Sequence, residues 1–406
     1  MEQSSPVSRR RFLGSAAATA GVLTLTPRDL ALWAQNAPQP GQAQQPGGRR
    51  TVTEAEYDAF AHLGSNENCY GPPDSVMQAM THAMKYANRY GYPDGNIVQE
   101  IADHHGVKPE NVLLGAGSGE LLDVVGLTFL TSTEKKVVGS DPSYGSVYQQ
   151  ATSIKAEAIK VPLLPDYRQD IPAVIKATKL HYRDVGFVYL CNPNNPTGRI
   201  VTKKEMKHLI DELPEDMPVL IDEAYHHFVD DGDYATSIPY VMEGRPVIIA
   251  RTFSKIAALA GMRLGYVVAQ REIIQKMRAH ATGTVNAIVK WGGVAALKDT
   301  ASQARVKQVT LDLRKKAVRD LKSLGYDSIP SEGNFFMVHI RRPVQPVIEE
   351  FRKKGVIVGR PFPPMLEHLR VSVGTAEEME RFATASRQVL SAAGATGGPG
   401  SPGSRR

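Results

Sequence analysis

Cysteine is scarce in this 406-residue chain: Cys69 and Cys191 lie far apart, and no second thiol stands at metal-ligand spacing. That excludes a disulfide framework and a zinc cluster, and leaves two buried free thiols and no metal as the expectation. Long apolar runs are missing too. None approaches the roughly 20 residues that cross a bilayer, so no membrane span is expected. Charge of one sign is also lacking. The net charge is +6, and part of the surplus sits near the ends, at Arg9, Arg10, Arg11, Arg49, Arg50, Arg405 and Arg406. Basic residues scattered among acidic ones do not form the one-sided patch of a nucleic-acid binder. What remains is a balanced composition, long enough for a large core in more than one lobe.

The two ends read differently from the body. Arg9-Arg10-Arg11-Phe12-Leu13 precedes a mildly apolar, alanine-rich stretch over 14–25, the charged-then-hydrophobic order of an export signal. Residues 1–35 resemble a twin-arginine signal, which implies partnership with the twin-arginine export machinery and a periplasmic address. Read instead as a basic tail, the segment would leave the chain in the cytoplasm. Ala34 and Ala37 are the candidate cleavage positions. Residues 36–50 are rich in Pro, Gln and Gly and lack apolar anchors, so burial cannot offset their ordering entropy and a disordered linker is expected. The Gly- and Pro-rich stretch 394–406 reads as a disordered tail.

Between the ends, short apolar runs bounded by turn residues recur at 112–114, 136–139, 186–191, 219–221, 246–250 and 265–269, with amphipathic stretches between most of them. Such alternation predicts an α/β fold with a mainly parallel sheet sandwiched by helices. A helix-rich segment over 301–324 then leads to strands at 334–340, 355–358 and 369–373, the makings of a smaller α+β C-terminal lobe. Ligands in such sheets sit beyond the carboxyl ends of the strands. Polar clusters stand at those ends.

Gly115-Ala116-Gly117-Ser118-Gly119-Glu120 opens a helix whose exposed amides would suit a phosphate. A bare helix start reads almost as well, and a dinucleotide turn reads less well because Glu120 stands where its last glycine belongs. Thr252, Ser254 and Arg263 add two hydroxyls and a guanidinium fit for a phosphate dianion. Lys255, at a strand end among them, would be pushed toward the neutral, nucleophilic amine by burial beside other cations. Asp222 ends a strand shielded on both faces and needs a cation there, unless it merely caps a helix. Tyr225 and Asn195 can donate to an oxygen of the same ligand, or stand as a core tyrosine and an Asn-Pro turn.

Taken in order, Asn66-Glu67-Asn68, Tyr92-Pro93-Asp94-Gly95, Gly117-Ser118-Gly119-Glu120, Pro142-Ser143-Tyr144, Asn192-Pro193-Asn194-Asn195-Pro196-Thr197-Gly198, Asp222-Glu223-Ala224-Tyr225, Thr252-Phe253-Ser254-Lys255 and Leu369-Arg370-Val371-Ser372-Val373-Gly374 span nearly the whole body. With these elements the chain resembles the fold-type I, class I/II aminotransferases, and within them the histidinol-phosphate aminotransferase branch. The resemblance implies a pyridoxal 5'-phosphate enzyme that moves an amino group from a small-molecule donor to a 2-oxo acid in two half-reactions. It implies that Lys255 bonds the cofactor and shuttles the proton, that Asp222 pairs with the ring nitrogen, and that Asn195 and Tyr225 hold the ring oxygen. Tyr144 would stack on the ring, while Ser118, Gly119, Thr252, Ser254 and Arg263 would hold the phosphate. Tyr92 would reach the neighbouring subunit's cofactor, which makes a homodimer with shared sites the expected unit. The implied divisions are an N-terminal arm or part of the small domain (51–85), a large cofactor-binding domain (86–300) and a small domain (301–393).

Arg370 would bind the acidic end of the substrate, with Asn195 and Arg360 nearby. In the histidinol-phosphate branch a second arginine follows Gly-Val-Ile-Val, whereas here Gly359 separates Val358 from Arg360. That spacing, with export, favours a general or aromatic amino-acid donor over histidinol phosphate. Decarboxylation of the threonine-phosphate kind uses the same constellation and is the neighbouring alternative. An exported binding protein without turnover would not require Lys255, Asp222 and Arg263 together.

Overall fold

The computed structural model describes residues 52–390. The signal segment expected over 1–35, the linker over 36–50 and the tail over 394–406 lie outside the described residues. The chain divides into two units, Met1–Tyr57 and Asp58–Arg406. Of the first, Thr53 and Glu56 cap each other where the helix Glu54–Asp58 begins. The second carries all the strands among the described residues.

In chain order these are β1 (Ala61–Leu63), β2 (Val112–Gly115), β3 (Lys136–Asp141), β4 (Glu157–Pro162), β5 (Val185–Cys191), β6 (Val219–Asp222), β7 (Val247–Thr252), β8 (Gly265–Ala269), β9 (Ser328–Ile329), β10 (Phe335–His339), β11 (Val356–Val358) and β12 (His368–Ser372). Seven of them form one sheet in the order β2-β8-β7-β6-β5-β3-β4. Strands β3 to β7 are parallel, and β8 runs antiparallel to both β7 and β2. The apolar runs explain this. β5, β6 and β7 are buried at every position, as parallel strands covered on both faces must be.

Two apolar layers cover the sheet. Val188, Ile221 and Ile249 face one, whereas Tyr189, Leu220, Ile248 and Ala250 face the other, together with Leu121, Leu122 and Val125 of the helix Ser118–Phe129. Outer helices are held by their ends. In Lys203–Glu212, Thr202 accepts from the Glu205 N–H while the Glu205 carboxylate accepts from the Thr202 N–H, a reciprocal cap contributing on the order of 1 kcal/mol. Thr375 and Glu378 repeat it for Ala376–Val389.

A third core gathers β1, β10, β11 and β12 against the helices Thr300–Ser323, Val344–Lys353 and Ala376–Val389. Here β10 pairs antiparallel with β9 and β12, and β1 runs parallel to β11. The first strand after the N-terminal unit is thus built into the last part of the chain. Among the described residues no helix is long and apolar enough to cross a membrane, and no group of three metal-ligating side chains could hold an ion.

Candidate active site

The strand ends converge on a cavity of about 250 Å³ lined by Ser118, Gly119, Tyr144, Asn195, Asp222, Tyr225, Thr252, Ser254, Lys255 and Arg263, with Ser65 and Glu67 from the segment after β1. Ten residues singled out from the sequence therefore meet in one place. Three do not line it: Tyr92, Arg360 and Arg370.

The anion end is built from backbone. β2 stops at Gly115, and Gly117 turns the chain at φ 84°, where a Cβ would overlap the Arg263 guanidinium. The helix Ser118–Phe129 then starts with its free N–H groups toward the cavity. Glu120 keeps this turn in shape: one carboxylate oxygen accepts the Ala116 N–H at 2.5 Å, and the other accepts the Thr282 N–H at 3.0 Å and hydroxyl at 2.6 Å. Arg263, itself at φ 58°, donates to the carbonyls of Ala260 at 2.7 Å and Ala116 at 3.3 Å. Beyond β7, the Thr252 hydroxyl donates to Ser254 Oγ at 2.9 Å and accepts the Ser254 N–H at 3.0 Å.

Lys255 follows at once. Its Nζ donates to the Ser65 carbonyl at 3.2 Å and lies 5.6 Å from the centre of the Tyr225 ring. Burial, with the Arg370 charge next, pushes its pKa down to about 8. Asp222 is buried at the end of β6. One oxygen accepts the Ala224 N–H at 3.1 Å, but burial outweighs this and pushes the carboxyl up to about 7. A buried carboxyl so displaced lacks a cation. The two ends of the cavity thus suit one guest, with a phosphate at one end and a protonated ring nitrogen at the other, within reach of an amine that gives up its proton easily.

At the third wall the Tyr225 hydroxyl, which burial holds well above its ordinary pKa, accepts from Asn195 Nδ2 at 3.3 Å. It also accepts from Asn66 Nδ2 at 3.1 Å. Asn66 sits at φ 53°, and its backbone N–H and side-chain oxygen both bond Ser372 Oγ at 2.8 Å. It is a site residue that reading by motif missed: the Asn-Glu-Asn element was visible, but its contact with Tyr225 crosses 159 residues. Tyr144, 38% exposed, stands in the cavity wall, its carbonyl receiving the Tyr189 hydroxyl at 3.2 Å.

Arg370 is buried on β12 just behind Asn195. It donates to Asn195 Oδ1 at 2.8 Å and to the Gly64 carbonyl at 2.5 Å, and its Nε has no protein partner. Gly359 is packed against it: a Cβ there would come within 3.2 Å of Arg370 Nε. The guanidinium carbons of Arg370 and Arg360 lie 4.5 and 4.3 Å from the centre of the Phe362 ring. Arg360 is the more exposed of the two and also donates to the Pro361 carbonyl at 2.9 Å. Tyr92 sits apart, its hydroxyl 3.5 Å from the Val285 carbonyl and its ring 5.3 Å from Lys290 Nζ.

Comparison with known proteins accounts for this constellation. The model of aminotransferase class I and II matches residues 60–385. Histidinol-phosphate aminotransferase of Moorella thermoacetica is 37% identical over 335 residues, covering 81% of this chain and 85% of that protein. Histidinol-phosphate aminotransferase 2 of Pasteurella multocida is 33% identical over 339 residues, covering 81% and 89%. The fold is that of the Sinorhizobium meliloti histidinol-phosphate aminotransferase in complex with pyridoxal-5'-phosphate, with a TM-score of 0.77 at 24% identity over 92% of this chain and all of that one. The chain belongs to the class I and II aminotransferases and is a pyridoxal-phosphate-dependent aminotransferase.

Proposed function

We propose that Lys255 is the residue that bonds the cofactor and moves the substrate proton, that Asp222 holds the ring nitrogen's proton, and that Arg370 with Arg360 binds a dianionic end of the amino donor. The bound cofactor supplies an electron sink for the carbanion formed at the donor carbon. The chain supplies the rest. Lys255, lowered to about 8, would serve as a base close to neutrality. Asn195 and Asn66 orient the Tyr225 hydroxyl, and the amides at Ser118 and Gly119 with Ser254, Thr252 and Arg263 would hold the phosphate.

The observation that carries the substrate reading is the pair of guanidiniums on one Phe362 ring. A phosphate monoester bears two charges and suits two forks, whereas a carboxylate is satisfied by one. With relatives named for histidinol phosphate, this supports a phosphorylated amine of that kind as donor. It reverses the preference drawn from the extra residue after Val358, because Arg360 still reaches the ring that Arg370 touches. The second reading is an amino-acid carboxylate held by Arg370 alone, favoured by the greater exposure of Arg360. Rates of cofactor reduction with histidinol phosphate, phenylalanine, aspartate and glutamate separate the two. Arg370→Ala should lose roughly 2–5 kcal/mol with its preferred donor. Arg360→Ala should cost tenfold or more, roughly 1.4 kcal/mol, with histidinol phosphate and little with amino acids. A wild type that prefers an amino acid by orders of magnitude sinks the phosphate reading.

The unit we propose is a homodimer exported by the twin-arginine route. Tyr92 lies outside its own chain's cavity, two residues after the fully exposed Tyr90, which supports a partner there. The Arg9-Arg10 pair supports the export reading, since that route carries folded proteins and a cofactor can be loaded beforehand. Arg9→Lys with Arg10→Lys should keep the active enzyme in the cytoplasm. Normal periplasmic delivery of that double variant would count against export by this route.

A further inference from the structure

Alternation along β6 and β7 sends successive side chains to opposite faces of the sheet. Leu220, Ile248 and Ala250 point to the layer that contains the helix Ser118–Phe129, and in phase with them Asp222 and Thr252 line the cavity. Ile221 and Ile249 point to the other layer, and Glu223 and Arg251 follow in phase with these. There Arg251 donates to Glu223 Oε2 from Nε at 3.0 Å and from a terminal nitrogen at 2.7 Å, with side chains 4% and 0% exposed. Glu223 also accepts the Thr236 hydroxyl at 2.9 Å and the Ser237 N–H at 2.7 Å. Arg251 donates in turn to Thr236 Oγ1 at 2.9 Å and meets His226 Nε2. The backbones are joined as well, the Glu223 N–H donating to the Ala250 carbonyl at 3.0 Å.

We propose that Glu223 and Arg251 are positioning residues, a buried clamp behind the sheet that fixes the strand ends bearing Asp222 and Thr252 to Lys255 in the spacing the cofactor requires. It rests on the assignment of Asp222 and Lys255 to the cofactor and is independent of the donor. A buried ion pair is a poor stabiliser, since well-packed apolar residues of the same volume often serve as well or better. What it adds is geometry. Two guanidinium donors converge on one Glu223 oxygen while the Ser237 N–H holds the other, which restricts how the two strand ends sit against each other, and each strand end carries a working group one residue away on the opposite face.

The clamp is also neutral where neutrality matters. The Glu223 charge pushes Asp222 up, and Arg251 stands against Glu223 as its counter-charge. The histidines and tyrosines that face the pair are held toward their neutral forms. His104, His105, His226 and His227 are all held below their ordinary range, first by burial and then by Arg251. Tyr234 and Tyr266 are held above theirs by burial, and Lys307 stands beyond His227.

The test uses the full enzyme carrying Arg251→Met, Glu223→Gln, or both. The readouts are cofactor affinity by titration of the apoenzyme, the pH midpoint of the bound cofactor's absorbance, and the apoenzyme melting temperature. Each single variant leaves a buried unpaired charge that favours early melting or misfolding; the double variant leaves none and carries the decision. Expected for the double is an apoenzyme melting temperature near that of wild type, with cofactor affinity down about tenfold or more and the absorbance midpoint moved by about half a pH unit or more. Affinity within about twofold of wild type, or a loss matched by an equal fall in apoenzyme melting temperature, would make the pair purely structural and overturn the proposal. Asp222→Asn is run alongside. If it leaves affinity and midpoint untouched, the Asp222 assignment itself is wrong, whatever the clamp does.

Discussion

Asp222 and Lys255 are displaced toward each other, the carboxyl up to about 7 and the amine down to about 8, and burial is the first cause of both. For Asp222 the folded pKa exceeds that of the unfolded chain, so the unfolded state releases its proton first. Stability is therefore lost as pH rises from about 4 to about 7, and the full cost remains above. Asp222→Asn should stabilise the apoenzyme at pH 8 by up to roughly 4 kcal/mol and change little at pH 4. Thermal unfolding at the two pH values checks this, and a pH-independent effect would refute it. If Asp222 holds the ring nitrogen's proton as proposed, the same variant with cofactor should lose most of its turnover, because an amide cannot keep that nitrogen protonated. For Lys255, capture of cofactor by the apoenzyme should speed up with pH and level off above about 8 rather than near 10.5. A rate still climbing at pH 9.5 would mean that the amine is not depressed. Nine of the ten expected cavity residues were legible because they stand at or just past the end of an apolar run, where a parallel sheet puts its ligands, whereas Arg263 stands before β8 and was legible as a guanidinium eight residues after Lys255. Asn66 was not, because nothing local says that a left-handed asparagine after β1 will meet a tyrosine after β6.

Elements were readable where burial is two-sided and hidden where it is not. β5 to β8 stand out as continuous apolar runs, whereas β4, at the sheet edge, mixes Glu157 and Lys160 with apolar residues and has no clean period. β1 and β9, three and two residues long, are too short for any period. The Gly115 to Glu120 turn was legible as a helix start, and its glutamate as a departure from a dinucleotide motif and a member of the family element, but with no structural task. In the fold Glu120 ties that turn to the loop at Thr282, and these hydrogen bonds, opposed by burial, hold its carboxyl below the usual range. Glu120→Ala leaves three donors to find water. Cofactor affinity should fall about tenfold, or roughly 1–2 kcal/mol, and amide exchange at Thr282 and Thr284 should accelerate. Glu120→Gln keeps one acceptor and should fall between. Unchanged exchange in the loop would show that the turn stands without its latch.

For the whole molecule, the question is whether one chain holds a complete site. The large sheet and its layers position every group in the cavity, and the parallel pairing of β1 with β11 brings Ser65 and Glu67 to the wall. None of this uses Tyr92. Its neighbours Tyr86 and Trp291 stack at 6.2 Å, the Trp291 N–H donates to the Pro93 carbonyl at 2.8 Å, and Lys290 is paired with Asp94, so the Tyr92 segment is braced although its own chain gives it no ligand to face. If Tyr92 serves the partner's cofactor, two inactive variants should complement each other. Lys255→Ala homodimers lack the base at both sites, and Tyr92→Ala homodimers lack the donated hydroxyl at both. In a mixed dimer one site draws Lys255 from one chain and Tyr92 from the other, and it is whole; the second site has both defects. Random exchange of equal amounts makes half the dimers mixed, so about a quarter of all sites become intact. Mixing the purified variants under mild denaturant, followed by refolding with cofactor, should restore activity toward about a quarter of wild type. Activity that stays at the mean of the two variants would mean that Tyr92 acts within its own chain, or that the chains do not share their sites.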